Sequence, residues 1–410
     1  MSQIQSTSHP GEPCRRVIVC HFGHENDACC TENIFEFLAE HGIDHDFIDL
    51  GATSATEALR RALAHGPGTA LLGFNSQIDH AWVADEPLII AAGRQGVPVL
   101  QWILDHPSVR WPEFNYSDAR TSRFLFHSRY SQAYFARYCC TGAVTATAGS
   151  VGPNPRSRSA DADFAAFARR PVSCLIALGL ARVHTTAAET AAALASLPTS
   201  LAEELNGALA RARFDLDGPL ETHVERAGAA SGLALGDSDF NRCFRLVHDL
   251  VQSFRRARIM QIASRFDLLI QSDETARPIV AGGSAAFRPD VGMCETLARM
   301  PQCRAVLSVS PVNDSIHDRT CNALNAGCLP ILEDNRVHRA LFRHRQNALL
   351  FRYHDDSLAE CLAIACGDAR RVYALAERAA AMRDRAPFRF GAFANIVELA
   401  AGPSASGDPV

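Results

Sequence analysis

The sequence predicts an α/β protein of two doubly wound domains, each a mostly parallel sheet between helices, with a helical insertion in the second. Short apolar runs alternate with helix-period segments over most of the 410 residues. A stretch rich in Gly, Pro, Ser and Arg, residues 149–170, divides that alternation in two. The length suits two or three domains, and 47% apolar with 21% charged residues is ordinary globular composition.

The first domain, residues 14–150, lies behind a polar tail at 1–13. Residues 16–22 form a buried strand, and Cys30, Ile34, Phe37 and Leu38 then recur at helical spacing. Strands follow at 47–50, 69–74, 97–103, 123–127 and 144–148, with helices near 56–64 and 87–95 between them. Residues 151–170 are expected to be a linker. The second domain, 171–400, opens on a strand at 172–178 and carries the helical insertion at about 185–264. Thr186-x-x-Glu189, Ser200-x-x-Glu203 and Ser357-x-x-Glu360 are read as capping boxes. Phe240, Cys243, Phe244, Val247, Leu250, Val251 and Phe254 form a core stripe at three- and four-residue steps. Arg255, Arg256 and Arg258 beside it are read as a solvated face, with acidic lipid or an anionic acceptor as the other reading. Further strands are expected at 267–271, 278–281, 305–309 and 329–332, helices after 357 and over 368–385, and a second loose tail at 401–410.

Composition excludes several functions. All 40 basic residues are arginine, which removes Schiff-base and pyridoxal chemistry and the lysine-dependent P-loop. A net charge of −5 without a basic block argues against a grip on nucleic acid. The fourteen cysteines contain no Cys-x-x-Cys pair, so no metal site is expected, and with no signal peptide the reading is a reduced cytoplasmic protein. No apolar run reaches a membrane span, which leaves only peripheral membrane contact.

Two such sheets are expected to offer crevices at the carboxyl ends of their strands, facing each other across a cleft where two substrates meet. Residues 308–335, SVSPVNDSIHDRTCNALNAGCLPILEDN, carry the most chemistry. Strand, polar loop with Ser310, helix, glycine break, strand and acidic loop follow one another. The helix starts near 315–318, so its amides and dipole suit a phosphate, with His317 beside them. Arg319 in the first turn could clamp that phosphate, and Asn322 and Asn325 share its side. Gly327 ends the helix, and Glu333 and Asp334 stand at a strand's carboxyl end. Gly179 and Arg182, after the second domain's first strand, also suit a diphosphate.

The run HDRTCNALNAGCLPILED resembles the nucleotide-sugar segment of group-1 glycosyltransferases with the GT-B fold, two Rossmann-like domains. It is closest to the spore-maturation-like subgroup, whose pattern is roughly Arg-x-x-Glu-Ala-x-x-Ala-Gly-x-x-x-Ile-x-x-Asp. Arg319, Asn322, Ala323, Ala326, Gly327, Ile331 and Asp334 occupy those positions. The resemblance implies transfer of a sugar from a nucleotide diphosphate donor, held by the second domain, to an acceptor held by the first. The acceptor could be a glycan, a lipid-linked group or a protein. It also implies that no metal or other cofactor is needed, the nucleotide-sugar being a co-substrate. The chain departs from the pattern at Asn322, where a Glu is expected to hold the donor's ribose; a second acidic position of the wider family falls on Asp314.

An acceptor hydroxyl must lose a proton as it attacks, and the loop after the first strand, His21-Phe-Gly-His24-Glu25-Asn-Asp27, is dense in groups able to take it. His24 is the first candidate, with Glu25 or Asp27 next and Asp105, in Asp105-His106-Pro107, as a second place. A nucleotide-sugar epimerase on the same scaffold and a non-catalytic nucleotide-sugar or glycan-binding relative are the alternatives.

Overall fold

A computed structural model describes residues 14–111, 114, 121–140, 142–147, 152–159, 163–179, 186–310, 313–385, 388 and 394–401. The apolar alternation resolves there into two parallel sheets of six strands. The first contains β1 (Arg16–His21), β2 (Asp44–Asp49), β3 (Thr69–Phe74), β4 (Val99–Ile103), β5 (Ser122–Phe126) and β6 (Val144–Thr147), in the order β2-β1-β3-β4-β5-β6. Helices α1 (Glu25–Glu40), α2 (Ala55–Leu63), α3 (Leu88–Arg94) and α4 (Arg129–Tyr138) cross between them. β3 reads as an unbroken apolar run because it is central and covered on both faces; all six of its residues are buried. Gly73 within it is required, since a Cβ there would sit 2.5 Å from Ile78 Cγ1.

The second sheet contains β7 (Val172–Ala177), β8 (Leu269–Ser272), β9 (Ala286–Pro289), β10 (Cys303–Ser308), β11 (Leu329–Glu333) and β12 (Leu349–Phe351), in the order β9-β8-β7-β10-β11-β12. Counted from its first strand this is 3-2-1-4-5-6, the order of doubly wound nucleotide-binding sheets. Between β7 and β8 lie α5 (Ala187–Leu194), α6 (Thr199–Ala212), α7 (Glu221–Ala230) and the 27-residue α8 (Asp237–Ala263). From Phe240 to Val251 the predicted stripe of α8 is buried. α9 (Asp318–Asn325) joins β10 to β11, and α10 (Ser357–Cys366) and α11 (Ala369–Ala380) follow β12. Each fully buried Leu, Ile or Phe of these cores contributes roughly 1.5–3 kcal/mol.

The chain divides into two compact units, Met1–Val151 with Phe390–Val410, and Gly152–Arg389. The last helix, α12 (Ala394–Ala401), belongs to the first, although its place in the sequence suggested the second. Ile396 and Ala400 join the core of Val17, Leu38, Leu100 and Trp102 there, and Arg123 donates to the Leu399 carbonyl. Residues 151–170 are not a loose linker where they are described. Asn154 and Ser157 bond to α9, and the buried Arg170 donates to the carbonyls of Cys303 (2.8 Å) and Ala326 (3.0 Å). The two tails, residues 1–13 and 402–410, lie outside the described residues.

Other local expectations change. Residues 278–280 belong to a helical turn, Arg277–Val280, with Pro278 in its first turn and Ala281 following it. The edge strand is Ala286–Pro289, which has no buried residue and so no apolar run to reveal it. Of the three capping boxes only Thr186 forms one, accepting from Glu189 N at 3.1 Å while Glu189 accepts from Thr186 N at 2.8 Å. α6 starts behind Pro198 with no side-chain cap, and the Ser357 hydroxyl is turned to Asp355.

Two histidines are buried in a form that acid disfavours. His21 Nδ1 accepts from Gly23 N at 2.9 Å, and burial depresses its pKa against the pull of Asp27 and Asp49. His338 Nδ1 lies 2.7 Å from the Glu333 carbonyl, to which only an N–H can donate, and its buried Nε2 has no partner among the described residues. Burial lowers its pKa too, more than the Glu333 carbonyl and carboxylate raise it. Unfolded histidine protonates near pH 6.5, so below that pH the unfolded chain binds more protons and stability falls. The urea midpoint of the protein should therefore drop between about pH 7 and about pH 5. His338→Asn, which keeps a donor for the Glu333 carbonyl, should show a shallower drop; an equal drop would remove His338 as a cause.

Candidate functional site

In a sheet ordered 3-2-1-4-5-6 the connections from the first and fourth strands leave in opposite directions, opening a crevice at their carboxyl ends. In the second unit those strands are β7 and β10. The residues that follow the strands at this edge are Gly179 after β7, Asp273 after β8, Ser310 after β10, Glu333 at the end of β11 and Tyr353 after β12.

Two guanidinium groups converge there. Arg256, from the last third of α8, donates to the Gly179 carbonyl at 2.7 Å, and its buried Nε has no partner among the described residues. Arg319 stands in the first turn of α9, half-buried, and among the described residues its guanidinium makes no hydrogen bond or ion pair. Burial lowers both pKa values. For Arg319 the charge of Arg256 adds to that lowering while Asp318 and Asp290 oppose it; for Arg256 the opposing groups include Tyr353, Asp249, Asp273 and Glu333. Two like charges in a partly dry setting favour an anion beside them.

The start of α9 supplies less than the sequence suggested. His317 is its N-cap, and its own Nδ1 accepts from Arg319 N at 3.0 Å while its carbonyl accepts from Thr320 N at 2.9 Å. The Asp318 carboxylate sits in the first turn against His317. Burial would raise the Asp318 pKa, but His317 and Arg319 outweigh it and hold the carboxyl well below its usual range. These amides are therefore taken by the chain itself, and the positive charge at the edge is carried by side chains.

The remaining candidates fall into two groups. Glu333 is buried and engaged at both oxygens: Ser310 N donates to one at 2.8 Å and the Tyr353 hydroxyl to the other at 2.8 Å. Ser310 is likewise occupied, its hydroxyl donating to the Ser315 carbonyl. Asp334 is paired with Arg352 at 2.6 Å and Arg339 at 3.1 Å, and Asp314 with Arg336 at 3.7 Å. These shape the edge from beneath. Asn322, Asn325 and Gly327 do not face it. Asn322 Oδ1 accepts from Asn154 N (2.7 Å) and the Ser157 hydroxyl (2.9 Å), and Asn325 donates to the Asn154 carbonyl (3.0 Å) and to Ser157 (2.9 Å). A crossover helix runs away from the carboxyl edge, so Gly327, at φ +62°, closes α9 at the opposite end of the sheet, under Arg170. Arg182 lies outside the described residues.

The sequence missed Arg256, read with its neighbours as a solvated face. Arg255 is also buried; it donates to the carbonyls of Ala212 (3.1 Å), Arg213 (3.2 Å) and Asp215 (2.6 Å), capping the end of α6, and to Asn313 at 3.0 Å. Three arginines in four positions signal a face, but only the packing of α8 decides which of them enters the fold.

In the first unit the order β2-β1-β3 puts the switch point at β1 and β3. His24 and Glu25 are exposed after β1, while Asp27 is buried and accepts from Gln77 at 2.6 Å. Asp105, after β4, accepts from Asn75 (3.2 Å) and pairs with Arg110 (3.2 Å). Asn75 and Ser76 at the end of β3 both take positive φ, +47° and +63°, and Asn75 Oδ1 fixes that turn by accepting from Leu104 N at 2.8 Å. Among the described residues no group of three or more His, Cys, Asp or Glu could hold a metal, and no helix is long and apolar enough to cross a membrane.

No protein-family model and no curated protein matches the chain. Solved structures do. HepE of Anabaena, determined with UDP and glucose, gives a TM-score of 0.52 at 10% identity over 94% of this chain and 99% of that one. BGT of phage T4, determined with its UDP-glucose substrate, gives 0.52 at 8% identity over 95% and 100%. Sucrose-phosphate synthase of Thermosynechococcus elongatus gives 0.50 at 12% identity over 94% and 98%. With two six-stranded parallel sheets in doubly wound order, the chain has the GT-B fold, two Rossmann-like domains along one polypeptide.

Proposed function

We propose that the chain is a glycosyltransferase that moves a sugar from a nucleoside diphosphate sugar to an acceptor hydroxyl. The observation that carries this is the convergence of Arg256 and Arg319 at the switch point of the second sheet, with no carboxylate paired to either guanidinium among the described residues. The solved structures with UDP or UDP-glucose bound share the fold and support the ligand class.

As the bond from the anomeric carbon to the diphosphate oxygen breaks, charge grows on the leaving diphosphate. The two guanidinium groups stabilise it most at that moment, and in partly desolvated surroundings their effect exceeds that in water. Arginine thereby does the neutralising that a divalent ion would otherwise do, so the proposed reaction is metal-independent. The acceptor oxygen bonds to the anomeric carbon and its proton passes to a base of the first unit. His24, exposed and without a side-chain cap bond, suits that role better than Asp105, whose carboxylate is already engaged by Asn75 and Arg110. Fourteen cysteines spread over 410 residues without a Cys-x-x-Cys pair fit a reduced, cytoplasmic setting.

Calorimetric titration with UDP and UDP-glucose tests the donor site. Arg256→Ala and Arg319→Ala should each weaken binding by about 2–3 kcal/mol, as loss of a charge-assisted contact requires; undiminished affinity in both would contradict the proposal. His24→Ala should depress turnover and leave donor affinity in place, whereas an unaltered rate would move the base to Asp105 or Glu25.

A further inference from the structure

We infer that the outer edge of the second sheet carries a second anion site, built around Arg343 and His344, that takes a phosphomonoester. The site is separate from the diphosphate site and does not depend on the proposed reaction.

The chain has a net charge of −5, yet residues 335–354 contain five arginines, three histidines and no carboxylate. They form the helix Arg336–Leu341, a return loop and the edge strand β12. Four of the five arginines are matched by carboxylates from elsewhere in the second unit. Arg336 faces Asp314 at 3.7 Å, Arg339 pairs with Asp217 at 2.7 Å, Arg345 with Glu360 at 2.8 Å and Arg352 with Asp334 at 2.6 Å. Arg343 is the exception: among the described residues its guanidinium makes no hydrogen bond or ion pair.

Arg343 lines a cavity of about 540 Å³, inside the span of roughly 300–1,000 Å³ usual for small-molecule sites. The buried side chains of Phe342 and Leu350 supply its apolar wall, and His344 and Arg352 line it too. His344 Nδ1 accepts from Leu350 N at 2.9 Å. Burial, with the charge of Arg345 behind it, lowers the His344 pKa, so the neutral ring carries its proton on Nε2, which has no partner among the described residues. Arg352 gives Asp334 its Nε alone, which leaves its two terminal nitrogens. The two carboxylates of the cavity are already engaged: Asp334 by Arg339 and Arg352, and Asp355 by the Ser357 amide at 3.0 Å and by the Ser357 hydroxyl.

The groups left uncommitted are chiefly N–H donors beside an apolar wall. A phosphoryl group answers them with three terminal oxygens and a charge of about −1.5 to −2, and it suits the planar fork of arginine. The carbon skeleton it is attached to would cover Phe342 and Leu350. β12 lies two strands from β10 and three from β7, roughly 10–14 Å at the usual strand spacing, so the cavity is set apart from Arg256 and Arg319. A soluble sugar phosphate and the headgroup of phosphatidic acid present the same chemistry.

Calorimetry at low ionic strength tests this with glucose 6-phosphate, glucose and UDP. The wild-type protein should bind glucose 6-phosphate and not glucose. Arg343→Ala and His344→Asn, the latter keeping an acceptor for Leu350 N, should each weaken glucose 6-phosphate about tenfold and leave UDP unchanged. Arg319→Ala should do the reverse. Sedimentation with phosphatidylcholine vesicles, with and without phosphatidic acid, separates the sources: binding to the acidic vesicles that falls in both variants assigns the headgroup, and its absence beside glucose 6-phosphate binding assigns a soluble ligand. If neither probe binds, or if glucose 6-phosphate is lost in Arg319→Ala and kept in Arg343→Ala and His344→Asn, the inference falls while the diphosphate site stands on its UDP affinity.

Discussion

Arg256 stands close enough to Arg319 for its charge to act there, in surroundings dry enough that burial makes both guanidinium groups easier to deprotonate. Folding tolerates such repulsion where a ligand relieves it, and the relief is greatest for a ligand carrying two adjacent negative charges. Among the described residues no carboxylate is paired with either guanidinium, although the charges of Asp318 and Asp290 act on Arg319 and those of Asp249, Asp273 and Glu333 on Arg256. Asp318, the nearest carboxylate in sequence, is turned to His317, and Asp334 is held by Arg339 and Arg352.

The surrounding structure is organised to keep the arginines where they are. The 27 residues of α8 span the insertion and bring Arg256 over Gly179, while Arg255, one position earlier, locks α8 to the end of α6 and to Asn313. Beneath them Tyr353 donates to Glu333, which in turn fixes the backbone at Ser310. Burial and the Glu333 charge push the Tyr353 hydroxyl well above its usual pKa, so it stays a donor. α9 is anchored along its length by Asn154 and Ser157 and at its far end by Arg170, which fixes the position of Arg319.

The sheet architecture was legible because central parallel strands, such as residues 69–74 and 172–177, are continuous apolar runs that nothing else in a globular chain explains. The edge strand Ala286–Pro289 was not, because none of its residues is fully buried. Arg319 was legible from its place in the first turn of a helix following a strand. The helix start was misread for a reason visible only in three dimensions: a histidine at the cap can turn its own ring nitrogen onto the amide that a phosphate would otherwise take. Asn322, standing where the resembled family has Glu, looked like a weakened ribose contact, but a segment 168 residues earlier in the chain occupies it. Arg256 gave no local signal, since its bond to the Gly179 carbonyl depends on how α8 packs against the turn after β7.

A co-crystal structure with UDP puts the central claim to the most direct test. The account predicts the diphosphate seated between the Arg256 and Arg319 guanidinium groups, over Gly179. A nucleotide bound at another edge of the sheet, with these two arginines turned to solvent, would contradict it.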